Sequence, residues 1–194
     1  MTTRKYKKTK RAEQQQETRE RIVAATVVLH EELGVANTSI KAIAERAGVQ
    51  RPTVYRYFPD DLSLLQACTS HWLSFNPPPD AADWQEMADA KEKTSAALLA
   101  FFNYYRGTEA MWTGAYRDVE DIAALREVLK GFEEYIDQIR DALVAAWKLK
   151  GKGKNQVSIT LRHCLRFSSW QSLKRENMND RQIANLVMVW IDPK

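Results

Sequence analysis

Apolar residues recur at intervals of three and four along most of the chain, and no segment alternates strictly between apolar and polar residues. Because this spacing is typical of amphipathic helices rather than strands, an all-α fold is predicted. The first helix is expected over residues 13–33, where Gly34 ends it. Its inward stripe consists of Ile22, Ala25, Thr26, Leu29 and Leu33.

The middle of the chain divides into helices separated by proline and glycine. Asp60 or Asp61 is expected to cap a helix that continues towards Trp72. The prolines of segment 75–82 then interrupt the chain, because proline cannot be accommodated inside a helix. We therefore expect a break between the N-terminal helices and the remainder of the protein.

A second series of helices is predicted after this break. Asp83 and Glu86 have the spacing of a capping box for a helix that reaches Tyr105. A stripe with heptad-like spacing predicts a long helix over residues 118–150. The basic segment 151–155 contains two glycines and is interpreted as a flexible loop.

The end of the chain predicts two further helices. The first is expected to have an apolar stripe formed by Val157, Leu161, Cys164, Leu165 and Ser168. The second begins at Asn179 and Gln182, which again have the spacing of a capping box. These two helices need a partner for their apolar faces.

The most informative pattern is a pair of short helices joined at Gly48. Thr38 or Ser39 offers a hydroxyl to cap the first helix, and Gly48 can adopt the positive φ that ends it. The second helix contains no acidic residue, and only Val54 and Phe58 are expected to face inward. A short, polar helix of this kind is typical of a recognition helix that enters the DNA major groove.

These motifs resemble a known DNA-binding signature. They are Ile43-Ala44-x-x-Ala47-Gly48-Val49, Thr53-Val54-Tyr55-x-Tyr57-Phe58 and Leu64-Leu65. The segment from about Glu17 to Leu65 resembles the tetracycline-repressor-like (TetR) family of bacterial transcription regulators. The resemblance implies an N-terminal three-helix helix-turn-helix DNA-binding domain, followed by a C-terminal helical bundle for ligand binding and dimerisation. The expected division is a basic flexible arm over residues 1–12, a DNA-binding domain over 13–59 and a helical domain over 60–194.

The chain departs from this family at Asp61. A lysine that contacts a DNA phosphate is usual at this position in the family. An aspartate cannot make that contact and would repel the phosphate backbone, so one phosphate contact fewer per subunit is inferred.

The basic residues are concentrated near the N-terminus. Residues 1–12 hold six lysines and arginines and no acid, and residues 1–74 hold 12 basic and 8 acidic residues. Residues 75–194 hold 17 of each. Such segregation is typical of phosphate binding. The arm is interpreted as tracking the DNA backbone or minor groove, and the alternative is a solvated tail.

Arg51 is the preferred candidate for base readout, because a guanidinium can donate to guanine O6 and N7 together. Gln50 suits an adenine or a phosphate, and Pro52 suits a thymine methyl. The remaining candidates are expected to contact mainly the backbone. They are Thr38, Ser39, Lys41, Thr53, Tyr55, Arg56 and Tyr57.

The C-terminal part is rich in aromatic residues, and all six tryptophans follow residue 71. The family resemblance implies a pocket between the DNA-binding part and the dimer bundle, and an aromatic pocket suits a flat apolar or cationic ligand. The alternative is that these aromatic residues form only a core. The pocket candidates are His71, Tyr105, Trp112, Tyr116 and Phe167.

No catalytic or metal-binding motif accompanies these features. His30, His71 and His163 lack ligand-like spacing, and Cys68 and Cys164 are isolated among apolar residues. We expect a cytoplasmic, nucleoid-associated regulator without a cofactor, enzymatic activity or membrane segment. Its expected partners are a palindromic DNA operator, a second copy of the chain and a small-molecule effector. Two alternatives are a DNA-associated protein whose C-terminal domain binds another protein, and an arm that makes DNA binding independent of sequence.

Overall fold

The computed structural model describes residues 2–191, with side chains from residue 10 onward, and within this range the fold is helical without strands. A short 3-10 helix at Ala81–Asp83 accompanies the α-helices. The α-helices are α1 (Thr2–Leu33), α2 (Ile40–Ala47), α3 (Arg51–Tyr57), α4 (Asp61–Phe75), α5 (Ala90–Gly107), α6 (Glu109–Asp118), α7 (Ala123–Ala146), α8 (Gly151–Cys164), α9 (Phe167–Arg175) and α10 (Asp180–Ile191).

The chain forms two compact units. The first extends to Asn76 and also contains Thr113–Val128, whereas the second contains Pro77–Trp112 and the chain from Leu129 onward. Helix α4 therefore belongs to the first unit. The prolines of segment 75–82 lie where the chain passes from the first unit to the second.

In the first unit, α1 packs against α2 and α4. Ser39, rather than Thr38, caps α2 by accepting a hydrogen bond from the Ala42 N–H at 3.1 Å. Gly48 ends α2 at φ 64°, and its N–H donates to the carbonyls of Ala44 and Glu45. A side chain at such a left-handed position is strained, so the glycine permits the turn. The predicted helix pair and its glycine are confirmed.

Helix α1 begins at Thr2, which corrects the predicted start near residue 13. The segment before residue 13 lacks an apolar stripe, which was the reason for predicting an irregular arm. However, residues 2–33 contain neither glycine nor proline and are rich in lysine, arginine, glutamine and glutamate. These residues favour helix intrinsically, so the helix extends beyond the part that packs on the domain. The basic side chains predicted for the arm before Lys10 lie outside the described residues.

Helix α5 begins later than the sequence suggested. Its N-cap is Asp89, whose side chain accepts a hydrogen bond from the Glu92 N–H at 2.8 Å. The predicted pair of Asp83 and Glu86 is wrong, because Asp83 lies in the 3-10 helix capped by Asp80. Trp84 is buried directly after that turn, so the chain packs into the core before α5 starts.

The C-terminal helices are also divided differently from the prediction. Helix α7 ends at Ala146 rather than Lys150, and Lys148 follows it with positive φ. The segment 151–155, predicted as a loop, is the first turn of α8. Val157 and Leu161 on α8 are fully buried, and their packing outweighs the glycines that argued against helix.

Three helices, rather than two, complete the chain. Helix α8 ends at Cys164, and α9 begins at Phe167, so the expected continuous stripe is broken. Ser168 is exposed and Ser169 is buried instead. The capping box of α10 is confirmed: the Asn179 side chain accepts from the Gln182 N–H, and the Gln182 side chain accepts from the Asn179 N–H.

An aromatic cluster fills the core of the second unit. Tyr105 is fully buried, and its hydroxyl donates to the Leu165 carbonyl at 2.7 Å. The Trp112 and Phe132 rings stack with centroids 4.3 Å apart, and the Tyr105 and Phe167 rings meet edge to face at 5.5 Å. These contacts are within the range of favourable aromatic pairs, so the rings stabilise one another directly.

Candidate nucleic-acid interface

Helix α3, the predicted recognition helix, divides its residues between the core and solvent. Val54 is fully buried and Phe58, which ends the helix, is only 3% exposed. Arg51 is exposed at the start of the helix, and the Tyr55 side chain is half exposed. Two inward anchors therefore hold a short helix on which Arg51, Pro52, Tyr55 and Arg56 are exposed.

The other predicted contact residues lie around the same turn. Gln50 occupies the N-cap position of α3 without a side-chain capping bond, and Pro52 follows in its first turn. The Arg56 guanidinium lies over the Tyr57 ring at 5.3 Å, which fixes this cation on the helix surface. On α2, Lys41 is largely exposed and reaches Glu45 at 3.9 Å.

Three predicted residues have local structural roles as well. The Thr38 hydroxyl donates to the Gly34 carbonyl at 2.7 Å, and Ser39 caps α2. Thr53 is half-buried, and its N–H donates to the Gln50 carbonyl. The structure thus brings all ten predicted residues into the helix-turn-helix and the turn before it, but the hydroxyls of Thr38 and Ser39 already stabilise that geometry.

The arginines of the first unit separate into structural and available groups. Arg46 pairs with Glu32 through two hydrogen bonds, of 2.7 and 3.1 Å. Arg21 donates to the Ala47 carbonyl at the end of α2. Arg51 and Arg19, by contrast, are exposed and form no ion pair with another residue in the range 10–191. These two cations are available to bind phosphate or bases.

A buried polar cluster lies where α1 packs against α4. His30 near the end of α1 is 9% exposed, and its Nδ1 lies 3.8 Å from the Cys68 sulfur on α4. Burial lowers the pKa of His30 to about 4, against the opposing influence of Asp118. Burial also raises the pKa of Cys68 to about 12. Both groups are therefore neutral near pH 7 and join α1 to α4 as a packed pair.

This cluster predicts a loss of stability in mild acid. The folded state keeps His30 neutral, whereas the unfolded chain binds a proton near pH 6.5. The free energy of unfolding therefore falls as pH falls from about 6.5 towards 4. Between pH 7 and pH 5 the protonation of His30 in the unfolded chain should lower it by about 2 kcal/mol. Thermal unfolding of the protein and of His30→Gln at pH 7 and pH 5 tests this. The unfolding temperature should fall less between the two pH values in the variant than in the unsubstituted protein. An equal difference in both would contradict the assignment.

The end of α6 is attached to the turn that precedes α2. The Asp118 carboxylate is buried and accepts from the Ala36 N–H at 3.0 Å. Arg117 donates to the same carboxylate at 2.7 Å, which is the largest cause of the lowered pKa of Asp118. Gly34 adopts φ 84° directly beside this pair. The carboxylate and the glycine together define the path of the chain into the helix-turn-helix.

The five ligand-binding candidates do not form a single group within either unit. Tyr105, Trp112 and Phe167 lie together in the aromatic cluster of the second unit, with ring centroids 5.5 to 6.4 Å apart. His71 belongs to α4 in the first unit and meets the Phe75 ring at 5.1 Å. Tyr116 is half-buried in the part of α6 that belongs to the first unit.

A groove of about 620 Å³ lies along the surface between α1 and α4 in the first unit. Arg19 lies on its α1 side, and Ser63 and His71 lie on its α4 side. Sequence reasoning did not select Arg19. The signal that could have revealed it is its spacing, because Arg19 precedes the buried Ile22 by three residues and so falls on the same helical face.

Neither a metal site nor a membrane-spanning helix is found in the described part of the chain. Among the side chains of residues 10–191, no group of three or more histidine, cysteine, aspartate or glutamate residues is arranged to hold a metal ion. No helix within residues 2–191 is long and apolar enough to cross a membrane.

Comparison with known proteins agrees with this geometry. Residues 22–68 match the family model described as bacterial regulatory proteins of the tetR family. The HTH-type transcriptional repressor KstR of Mycolicibacterium smegmatis is 43% identical over 54 residues, and KstR of Rhodococcus jostii is 45% identical over 51 residues. These matches span 28% and 26% of this chain, and about a quarter of each relative.

Solved structures resemble the chain over nearly its full length. A TetR-like transcriptional regulator from a Rhodococcus species has a TM-score of 0.61 at 18% identity, covering 90% of this chain and 93% of its own. NalD of Pseudomonas aeruginosa, a secondary repressor of a multidrug efflux pump, has a TM-score of 0.59 at 18% identity, covering 92% and 95%. At this identity the structures show a shared fold.

Proposed function

This chain is a TetR-like DNA-binding regulator. From this premise we propose that it is a homodimeric repressor that binds a palindromic operator. We also propose that a small ligand releases the repressor from this operator. The proposal rests on one observation about α3. Buried Val54 and Phe58 anchor this helix, and its exposed surface around Arg51 contains no acidic residue. One such helix contacts only a few base edges. Two copies related by a two-fold axis read two half-sites and supply the missing specificity.

Selection of binding sites from random duplexes tests this function. The purified protein should enrich two inverted half-sites with a fixed separation, because a symmetric dimer imposes its geometry on the DNA. Enrichment of a single half-site, or of no sequence while binding persists, would contradict the proposal. The second outcome would favour the alternative in which basic N-terminal residues bind DNA without regard to sequence.

The proposed dimer surface lies on α8 and α10, which pack against each other in the second unit. Ile159 on α8 is 69% exposed, and Val189 on α10 is 72% exposed. Trp190 next to it is 42% exposed. Large apolar side chains so exposed on two packed helices are typical of an interface, and we assign a second copy of the chain to it.

A glutamate at Val189 should weaken this dimer. Because the introduced charge would be buried without a partner, the dimer dissociation constant should rise at least about tenfold. Sedimentation equilibrium measures this change directly. Val28→Glu is the matched control, because Val28 is also an exposed helical valine but lies on α1. An unchanged dimer in Val189→Glu, or equal dissociation in both variants, would contradict the assignment.

The proposed effector is a flat apolar or cationic aromatic molecule bound among Tyr105, Trp112 and Phe167. The proposal rests on the aromatic composition of the second unit and on the family resemblance. Phenanthrene and berberine are suitable probes, because a ligand that binds the folded state raises its unfolding temperature. A probe that raises the unfolding temperature is called the active probe. It should also weaken DNA binding through a coupling energy on the order of 1–3 kcal/mol.

A second candidate function is a DNA-associated protein whose C-terminal part binds another protein without a ligand switch. Close packing favours it, because the Trp112 and Phe132 rings already stack at 4.3 Å and the Tyr105 hydroxyl already donates to Leu165. A Tyr105→Phe variant discriminates between the two. If the cluster is a ligand site, one of the two probes should raise the unfolding temperature and Tyr105→Phe should change that rise. If the cluster is solely a core, neither probe should raise the unfolding temperature and the variant should change only the stability.

A further inference from the structure

We propose that the N-terminal half of α1 is a rigid phosphate-binding helix that contacts DNA through one face only. This inference rests on the proposed DNA-binding function. It goes beyond that function by assigning contacts to a helix outside the helix-turn-helix pair. The relevant face is defined by Arg11, Gln15 and Arg19, and it is called the basic face below.

The basic face continues the face that packs on the domain. Residues four and eight positions apart lie on one side of a helix, so Arg11, Gln15 and Arg19 are aligned. Ile22 follows Arg19 by three residues and is fully buried. Leu29, seven residues further, is buried as well. The same side of α1 thus changes from a packing surface to a cationic surface near residue 19, where the helix extends past the domain.

Arg19 places this face beside the recognition helix. Its guanidinium lies over the Phe58 ring at 5.1 Å, and Phe58 ends α3. A cation held over an aromatic ring is fixed in position but keeps its hydrogen-bond donors. Arg19 is exposed and lines the groove between α1 and α4 together with Ser63 and Gln66. It can therefore reach a phosphate beside the base pairs that α3 contacts.

In this half of the helix negative charge is concentrated on the opposite face, although Glu20, next to Arg19, also lines the groove between α1 and α4. Glu13, Glu17 and Glu20 succeed one another by four and three residues, and they fall about half a turn away from the basic face. Their side chains are exposed, as are those of Arg11 and Arg19. A merely solvated helix needs no such separation. A helix lying along a polyanion does, because acidic residues on the contact side would repel it.

The dimensions of the helix suit this role. Arg11 precedes Arg19 by eight residues, which is about 12 Å along a helix axis. The major groove of B-DNA is about 12 Å wide. Two cations at this separation can contact phosphates of the two strands on either side of that groove. They would also compensate for Asp61, which is exposed at the first position of α4, where it cannot bind a phosphate.

Neighbouring lysine and arginine residues provide a sharp test. Arg11 lies on the basic face, whereas Lys10 precedes Glu13 by three and Glu17 by seven residues and falls with the acidic stripe. A rigid helix predicts different effects of Arg11→Gln and Lys10→Gln. A flexible arm predicts equal effects, because both cations would then reach the DNA alike.

The experiment measures binding to a fluorescent duplex of mixed sequence by anisotropy, in KCl from about 50 to 200 mM. Arg11→Gln and Arg19→Gln should each lower the slope of log affinity against log salt by about 0.9 for every phosphate that the variant no longer neutralises. Lys10→Gln should leave the slope unchanged, and Arg19→Lys should retain it because the charge remains. Unfolding temperatures of all variants establish that the fold is preserved.

Three outcomes separate the possibilities. Equal slopes for Lys10→Gln and Arg11→Gln would overturn the rigid-helix inference, and so would an unchanged slope for Arg11→Gln and Arg19→Gln. Both results leave the proposed function intact, because the unsubstituted protein still binds. Failure of the unsubstituted protein to bind any duplex would instead overturn the proposed function itself.

Discussion

Replacing Gly34 with alanine is expected to destabilise the first unit by about 3 kcal/mol, through backbone strain and broken hydrogen bonds. Gly34 has φ 84°, and an added Cβ would lie 1.9 Å from Arg117 Nη2 and 2.8 Å from Asp118 Oδ2. The Arg117 guanidinium would have to move away, which breaks the hydrogen bonds that Nη2 donates to Asp118 and to the Leu33 carbonyl. A fall in unfolding temperature of about 6–12 °C would follow for a chain of this size.

Gly131→Ala is the matched control for this prediction. Gly131 lies within α7 without positive φ, and an added Cβ would meet nothing within 4 Å. Alanine there should stabilise the protein by about 0.5–1 kcal/mol, because it restricts the unfolded chain and favours helix. Calorimetry of both variants distinguishes the two sites. A Gly34→Ala protein as stable as the unsubstituted one would contradict the described packing of Asp118 and Arg117.

Arg51→Ala is expected to have the largest effect on sequence-specific DNA binding. Arg51 is exposed at the start of α3 and is not engaged in an ion pair with any residue from 10 to 191. A bidentate contact to guanine is worth about 1–3 kcal/mol per site. In a symmetric dimer both half-sites lose it, so affinity for the selected operator should fall by about 2–6 kcal/mol. Base preference at one position of each half-site should relax.

Arg46→Ala is the appropriate control, because it removes the same side chain from the same motif. Arg46 is paired with Glu32, and both side chains are between two-fifths and one-half exposed. An exposed, solvent-screened pair of this kind contributes little to stability, and the variant should keep its base preference. Titration of the operator and of single-base variants measures both effects. Equal losses for Arg51→Ala and Arg46→Ala would contradict the assignment of Arg51 to base readout.

The helix-turn-helix could be predicted from the sequence because its determinants are local. Gly48 can adopt positive φ, Ser39 can cap a helix, and Val54 and Phe58 are separated by one helical turn. Each of these properties depends on residues within about one turn of each other, so tertiary packing had little to override. The Asn179–Gln182 capping box was predictable for the same reason.

Other features depend on residues distant in the chain and could not be predicted in this way. Asp118 accepts a hydrogen bond from Ala36 across 82 positions, and no local pattern indicates that pairing. Segment 151–155 looked like a loop because of its glycines, yet the burial of Val157 and Leu161 extends α8 through it. The capping of α5 by Asp89, rather than by the predicted Asp83, likewise depends on the burial of Trp84 in the segment between them.

The opposed charges of α1 also bear on the kinetics of DNA binding. Arg11 and Arg19 on one side, and Glu13 and Glu17 on the other, give the helix an electric dipole across its axis. If the basic face binds DNA as inferred above, this dipole would produce a torque in the field of DNA that turns the basic face towards the phosphates before any contact forms. The helix would then increase the fraction of collisions that begin in a productive orientation, so its removal would slow association more than it accelerates dissociation.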